Sequence, residues 1–190
     1  MKKGLLIIFS GPSGVGKGTV RELFFDREDL NLAYSISMTT RKPREGEVDG
    51  KDYYFVSRER FEEAIANDEL LEHAEFVGNY YGTLISEVER LRNSGKNVLL
   101  EIEVQGARQV IERVPDSLSI FLVPPSMEEL ARRIINRRTE SQDVINERLE
   151  KASKEMDLMN HYRYVICNDD PQIAADSVAL IIKRNIETTL

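Results

Sequence analysis

The segment Gly11–Thr19, GPSGVGKGT, gathers the residue types that hold phosphate: closely spaced glycines, one lysine and hydroxyl side chains. Glycines let backbone N–H groups converge on anionic oxygens with no Cβ in the way. A helix beginning directly behind them adds free N–H groups and a dipole that favours an anion. Gly11, Gly16 and Lys17 stand in register with G-x-x-x-x-G-K-[ST], after the apolar run LLIIF and before the helical TVRELFF, which is the context such a loop requires. The nucleotide-facing set is Gly11, Pro12, Ser13, Gly14, Val15, Gly16, Lys17, Gly18 and Thr19, with Lys17 reaching the β- and γ-phosphates. The eighth position, which normally gives a hydroxyl to Mg²⁺, is Gly18. Either Thr19, roughly 100° further round the helix, takes that place through a shifted backbone, or water does, which Mg²⁺ tolerates because it usually keeps several waters.

A loop of this kind must be carried by a sheet. Four short apolar runs, Leu5–Phe9, Val98–Ile102, Leu118–Val123 and Tyr164–Cys167, read as strands of a parallel sheet covered on both faces. Helical stretches lie between them. Ser86–Asn93 precedes the second run, and Ser126 with Glu129 forms a capping box ahead of the stripe Met127, Leu130, Ile134. Asp170 and Pro171 open a last helix whose Ile173, Val178, Ile181 and Ile182 supply a buried face. Glu140 to Asn160 is a charged helical segment. Alternation of strand and helix predicts a doubly wound α/β fold. It is broken from about Tyr34 to Thr83, where YSISMTTR and DYYFV predict short strands of a small, partly antiparallel insertion.

Composition narrows the function. At 190 residues, 41% hydrophobic and 31% charged, the chain suits one compact globular body. A net charge of −7 argues against nonspecific nucleic-acid binding. No apolar run approaches the ~20 residues that span a bilayer. The start MKKGLLIIF has too short an apolar run and no cleavage site for a signal peptide, so it reads as a strand. A single cysteine, Cys167, excludes an internal disulfide framework, fits a cytoplasmic protein and is expected in the core. Cations nonetheless concentrate at Arg41, Lys42 and Arg44, and again at Arg132, Arg133, Arg137 and Arg138, as two places able to serve small phosphates.

The segment Thr39–Val56, TTRKPREGEVDGKDYYFV, resembles the signature of guanylate kinases, T-T-R-x-x-R-x-x-E-x-x-G-x-x-Y-x-F-V, at every specified position. The resemblance continues through LEHAEFVGNYYGT, LLEIEVQG, PPS before a helix, RRTES…ERL and ICNDDP, and covers essentially the whole chain. It implies a P-loop NTPase-type parallel sheet flanked by helices, with a small mixed α+β GMP-binding insertion and a helical lid. In these terms the core is residues 1–33, 84–125 and 161–190, the insertion about 34–83 and the lid about 126–160. The implied reaction moves the γ-phosphoryl of ATP onto GMP or dGMP, with Mg²⁺ as cofactor. No nucleic acid or membrane is expected as a partner, and a homo-oligomer is compatible with the sequence.

The resemblance also implies roles. Arg41, Arg44, Tyr53 and Tyr81 match positions that hold the GMP phosphate, Glu47 belongs to the same pattern, and arginine suits phosphate through its planar fork. Glu72 matches the carboxylate that reads guanine, accepting from N1–H and N2–H₂, with Ser37 and Thr83 as hydroxyls that reach the base. Adenine would turn a lone pair towards that carboxylate, and sites of this type discriminate by roughly 10⁴. Arg137 and Arg148 match lid arginines that close over the transferring phosphate, and Asn168 a position near the adenine of ATP. With Lys17 and Arg44 these arginines form the catalytic set, because phosphoryl transfer depends on positioning and charge stabilisation. Glu101 and Glu103 leave a buried strand beside the loop. One is expected to touch the metal, directly or through water, and the other the GMP ribose or base; the metal candidates are Thr19 and Glu101.

Overall fold

The structure is a computed structural model that describes residues 2–76, 78–135 and 142–188. Along the chain run β1 (Leu6–Ser10), α1 (Lys17–Phe24), β2 (Leu32–Tyr34), β3 (Ser37–Thr39), β4 (Tyr54–Phe55) and α2 (Arg58–Ala66). They are followed by β5 (Leu70–Phe76), β6 (Asn79–Leu84), α3 (Ile85–Asn93), β7 (Asn97–Glu101) and α4 (Val104–Arg113). The remainder is β8 (Leu118–Val123), α5 (Met127–Ile135), α6 (Gln142–Met156), β9 (Tyr164–Cys167) and α7 (Pro171–Thr188). A parallel sheet in the order β2-β7-β1-β8-β9 forms the centre.

Successive side chains of a strand point to opposite faces, and β1 shows why the sheet is covered twice. Ile7 and Phe9 pack with Val20 and Phe24 of α1 and Ala174, Val178 and Ile182 of α7. Leu6 and Ile8 pack on the other side with Val88 of α3 and Val104, Ala107 and Val110 of α4. The expected apolar runs are all present, the first and second displaced by one residue. Both caps are present: Ser126 Oγ accepts from Glu129 N at 3.1 Å, and Asp170 Oδ1 accepts from Gln172 N and Ile173 N at 2.8 and 3.1 Å, but the Glu129 carboxylate pairs with Arg132 and Arg133 instead of closing a capping box.

Four expectations need correction. YSISMTTR is not one strand: Leu32–Tyr34 joins the central sheet beside β7, and Ser37–Thr39 starts the second sheet. Cys167 is exposed rather than buried, because β9 is an edge strand in which only Ile166 is buried. Ile173 is 67% exposed. The core face of α7 is made by Ala174, Ala175, Val178 and Ile182, packed with Val20 and Phe24 of α1, and Ile173 falls outside that stripe. DYYFV contributes only Tyr54–Phe55 to a strand.

The second sheet has the order β4-β3-β6-β5, with β3 antiparallel to β6, β6 to β5, and β3 parallel to β4. Met38, Phe61, Ala64 and Leu70 form its own apolar cluster. Another small cluster, Leu130, Ile134, Ile145 and Ala152, joins α5 to α6. Among the described residues no helix is long and apolar enough to cross a membrane.

Candidate active site

The glycine loop leaves the C-terminal end of β1, the central strand, where open parallel sheets carry their ligands. Three of its glycines are required by backbone geometry, Gly11 because a Cβ there would sit 2.4 Å from the Leu122 carbonyl oxygen. Gly14 (φ 86°) and Gly16 (φ 97°) lie in the left-handed region, and a Cβ on Gly16 would sit 2.7 Å from Asn168 Nδ2. Gly16 is the residue from which α1 starts, and Val20 N donates to its carbonyl at 3.1 Å. Lys17 Nζ folds over the loop to the carbonyls of Gly11 (2.5 Å) and Pro12 (3.2 Å). Burial pushes its pKa below that of an ordinary lysine, while Glu101, Glu155 and Glu103 pull the other way.

Val15 anchors the loop from beneath and is fully buried. Its carbonyl accepts from Asn168 Nδ2 at 2.8 Å and from Arg133 Nη1 at 3.3 Å, and Arg133 Nη2 reaches the Asn168 carbonyl at 3.0 Å. Asn168, 2% exposed, is thus a brace under the loop. Among the described residues nothing lies within 4 Å of where a Cβ on Gly18 would sit, and Thr19 is exposed.

A cavity of about 250 Å³ opens beside the loop and brings together Ser37, Tyr53, Glu72, Tyr81, Glu101 and Glu103, drawn from both sheets. A recess of about 440 Å³ adjoins it and shares Ser37, Tyr53 and Glu101, with Thr83 on its wall. Glu72 is the unusual member, a carboxylate only 7% exposed. Thr83 Oγ1 donates to its Oε1 at 2.6 Å. Burial raises the carboxyl pKa, and the hydrogen bonds from Thr83 oppose that shift in part. The pairing is set by a register shift in β5 between Leu70 and Glu72, which turns Leu71 into the central core and places Glu72 opposite Thr83.

Cationic residues contact the cavity wall at Tyr53 and the loop at Ser13. Arg41 forms a two-pronged pair with Glu47 at 2.8 and 2.9 Å and lies 5.4 Å from the Tyr53 ring centre. Glu47 Oε2 also accepts from Arg44 N at 2.7 Å, so one carboxylate fixes both arginine positions. Its pKa falls to about 2 through the Arg41 and Arg44 hydrogen bonds. The Arg44 side chain is exposed. From α6, Arg148 Nη2 donates to Ser13 Oγ on the loop at 2.9 Å. Arg137 and Arg138 lie outside the described residues, and Arg132 points to solvent beside Glu129.

Other contributors stand outside the candidate residues that the sequence singles out. A Cβ on Gly106, in α4, would lie 2.5 Å from Glu72 Oε2, so this glycine makes room for the buried carboxylate. Gln109 on the same helix binds both backbone groups of His73 in β5, accepting from N at 3.1 Å and donating to O at 2.9 Å. Arg21 Nε lies 3.4 Å from Glu101, and its guanidinium lies 5.4 Å from the Tyr34 ring centre. Only the α4 glycine could have been suspected, since glycine inside a helix is costly without a packing reason.

A phosphate loop at the centre of a parallel sheet, facing a second polar pocket lined by an inserted sheet, defines a P-loop nucleotide kinase. A family model described as Guanylate kinase matches residues 3–185. The chain is 58% identical over 181 residues to a guanylate kinase of Bacillus anthracis, covering 95% of this chain and 88% of that one. It is 57% identical over 182 residues to a guanylate kinase of Lactococcus lactis subsp. lactis (strain IL1403), covering 96% and 88%. Among solved structures, a guanylate kinase from Anaplasma phagocytophilum superposes with a TM-score of 0.71 at 36% identity, covering 97% of this chain and 87% of that one. The chain belongs to the guanylate kinase family, whose reaction is the ATP-dependent phosphorylation of GMP to GDP.

Proposed function

We propose that the protein transfers the γ-phosphoryl group of ATP to GMP, and more slowly to dGMP, with Mg²⁺, in the cytoplasm. The observation that carries this reading is the buried Glu72 carboxylate, fixed by Thr83 and facing the cavity. Guanine offers two adjacent donors, N1–H and N2–H₂, and an acceptor at O6. Glu72 accepts from the donors. Thr83 spends its one hydroxyl proton on Glu72, so it positions the carboxylate and leaves Ser37 to reach O6. Arg41, Arg44, Tyr53 and Tyr81 grip the acceptor phosphate, and Glu47 braces the two arginines.

On the donor side Lys17 leaves the loop carbonyls for the β- and γ-phosphates, and Arg148, with Arg137, neutralises the charge that spreads over the moving group. Asn168 acts through Val15, holding the loop in shape. Among the described residues no three His, Cys, Asp or Glu side chains cluster to hold a metal ion. Such a sparse donor set fits an ion held chiefly by phosphate oxygens and water, with Glu101 as the carboxylate that orients a water. Thr19 is exposed and the space at Gly18 is open, which supports water there too. Bound Mg²⁺ would neutralise phosphate charge. Separate apolar clusters in the insertion and between α5 and α6 support the three-part division and closure of both parts around the substrates.

A coupled assay of ADP release tests the reading. GMP should be turned over efficiently, dGMP more slowly and AMP poorly. Equal rates with AMP and GMP would refute the role of Glu72.

A further inference from the structure

Helix α6 presents Arg148, Lys151 and Glu155 at spacings of three and four residues, hence on one face. Arg148 reaches Ser13 of the phosphate loop. The Lys151 ammonium stands between two carboxylates, 3.1 Å from Glu103 Oε2 and 3.7 Å from Glu155 Oε1. They belong to different places. Glu103 lines the acceptor cavity and is largely exposed. Glu155 is 9% exposed, has the Ser13 backbone N–H directed at its carboxylate, and lies within electrostatic reach of Lys17. Among the described residues its buried Oε2 has no hydrogen-bond partner. A buried, under-satisfied carboxylate beside a loop built for phosphate is unfavourable to an incoming polyanion unless a cation neutralises it.

We propose that Lys151 is a positioning residue that couples the two nucleotide sites, held by Glu103 when the acceptor site is empty and passed to Glu155 when it fills. The inference rests on the assignment of the cavity to the acceptor. An acceptor that donates from its ribose or base to Glu103 competes directly with the ammonium. Lys151 then closes the short distance to Glu155 and cancels its charge at the loop. The donor triphosphate therefore binds more tightly with the acceptor in place. Linkage requires the donor to strengthen acceptor binding by the same factor.

Calorimetric titration of GMP, with and without a non-hydrolysable β,γ-imido ATP analogue and Mg²⁺, reads this coupling factor directly. Lys151 is half-exposed on a helix, and alanine is the best helix former, so Lys151→Ala should fold. It should lower the coupling factor about two- to fivefold, what a half-exposed ion pair can supply. GMP affinity without the analogue should stay the same or rise, because Glu103 is released. Lys151→Arg should restore coupling, and Glu103→Gln added to Lys151→Ala should remove no more. A wild-type coupling factor in Lys151→Ala, or no response of the wild type to the analogue, overturns the proposal while leaving the site assignment intact. Failure of GMP to bind the wild type at all overturns both.

Discussion

Replacing Glu72 by glutamine separates base recognition from folding. The side chain keeps its size, and Thr83 can still donate to the amide oxygen over the 2.6 Å that now separates it from Oε1. What changes is the other terminal atom, which lies against Gly106. As a carboxylate oxygen it accepts a charge-assisted hydrogen bond from guanine. As an amide nitrogen it meets a guanine donor with its own donor. Loss of one such bond costs roughly 1.5–3 kcal/mol, so kcat/KM for GMP should fall about 10- to 150-fold. Stability should not fall with it. Burial already penalises the Glu72 charge and raises its pKa, so a neutral isostere removes an unfavourable term. The assay is ADP release at varied GMP, with thermal unfolding on the same preparations. A kcat/KM within twofold of the wild type would refute the reasoning. So would a loss of activity matched by a fall in Tm, since that pattern belongs to a structural carboxylate.

Protonation should mimic that substitution. Because binding guanine favours the ionised Glu72, whose pKa is raised by burial, KM for GMP should rise as pH falls through the raised value and Glu72→Gln should flatten the profile; a pH dependence that persists in Glu72→Gln would remove this link. Glu47 has the opposite sign: its pKa is depressed to about 2, so the stability it contributes is present above the ordinary carboxylate range and fades as pH falls towards 2. Glu47→Gln should flatten this part of the acid-unfolding curve, and an unchanged curve would count against the pair. Gly106→Ala should gain up to ~1 kcal/mol of helix propensity yet displace Glu72, so GMP selectivity should drop without loss of Tm; unchanged selectivity would show that the carboxylate has slack. Lys17→Met should cut kcat about 10²- to 10³-fold, as removal of one transition-state donor does, and a change confined to KM would contradict its role.

What could be read from the sequence was whatever lies close together along the chain. The loop from Gly11 to Thr19 needs only its own glycines and the helix behind it, and the Thr39–Val56 signature carries Arg41, Arg44 and Glu47 within a few residues of one another. Capping by Ser126 and Asp170 is local in the same sense. Partnerships between distant segments left no such mark. Nothing in NDD announces that Asn168 braces Val15, and nothing in ERLEKASKEM says that one face of α6 touches both the loop and the cavity. Misreadings came from treating apolar residues as buried by type. Ile173 and Cys167 are exposed because a neighbouring alanine stripe and an edge strand decide burial there, and neither is visible without the packing partner.

The placement of Glu72 has a consequence for how the insertion closes. β5 belongs to two bodies at once. Leu70 packs in the insertion cluster, Leu71 packs with Val88 and Leu100 in the central core, and Gln109 of α4 ties the His73 backbone to a core helix. Glu72 lies between these anchors. Tearing β5 from the core would expose the buried Leu71 and exchange the two His73 backbone hydrogen bonds to Gln109 for water, a net cost of about 0.5–1.5 kcal/mol for each bond. Bending within the second sheet, or at its β2–β3 connection, breaks neither contact. On the proposed closure, Glu72 would therefore stay with the core, and the arm carrying Arg41, Arg44 and Tyr53 would swing towards it. The proposed roles then predict that guanine is read at Glu72 before the arginines reach the phosphate, so a base that Glu72 cannot bind would leave closure without that contact.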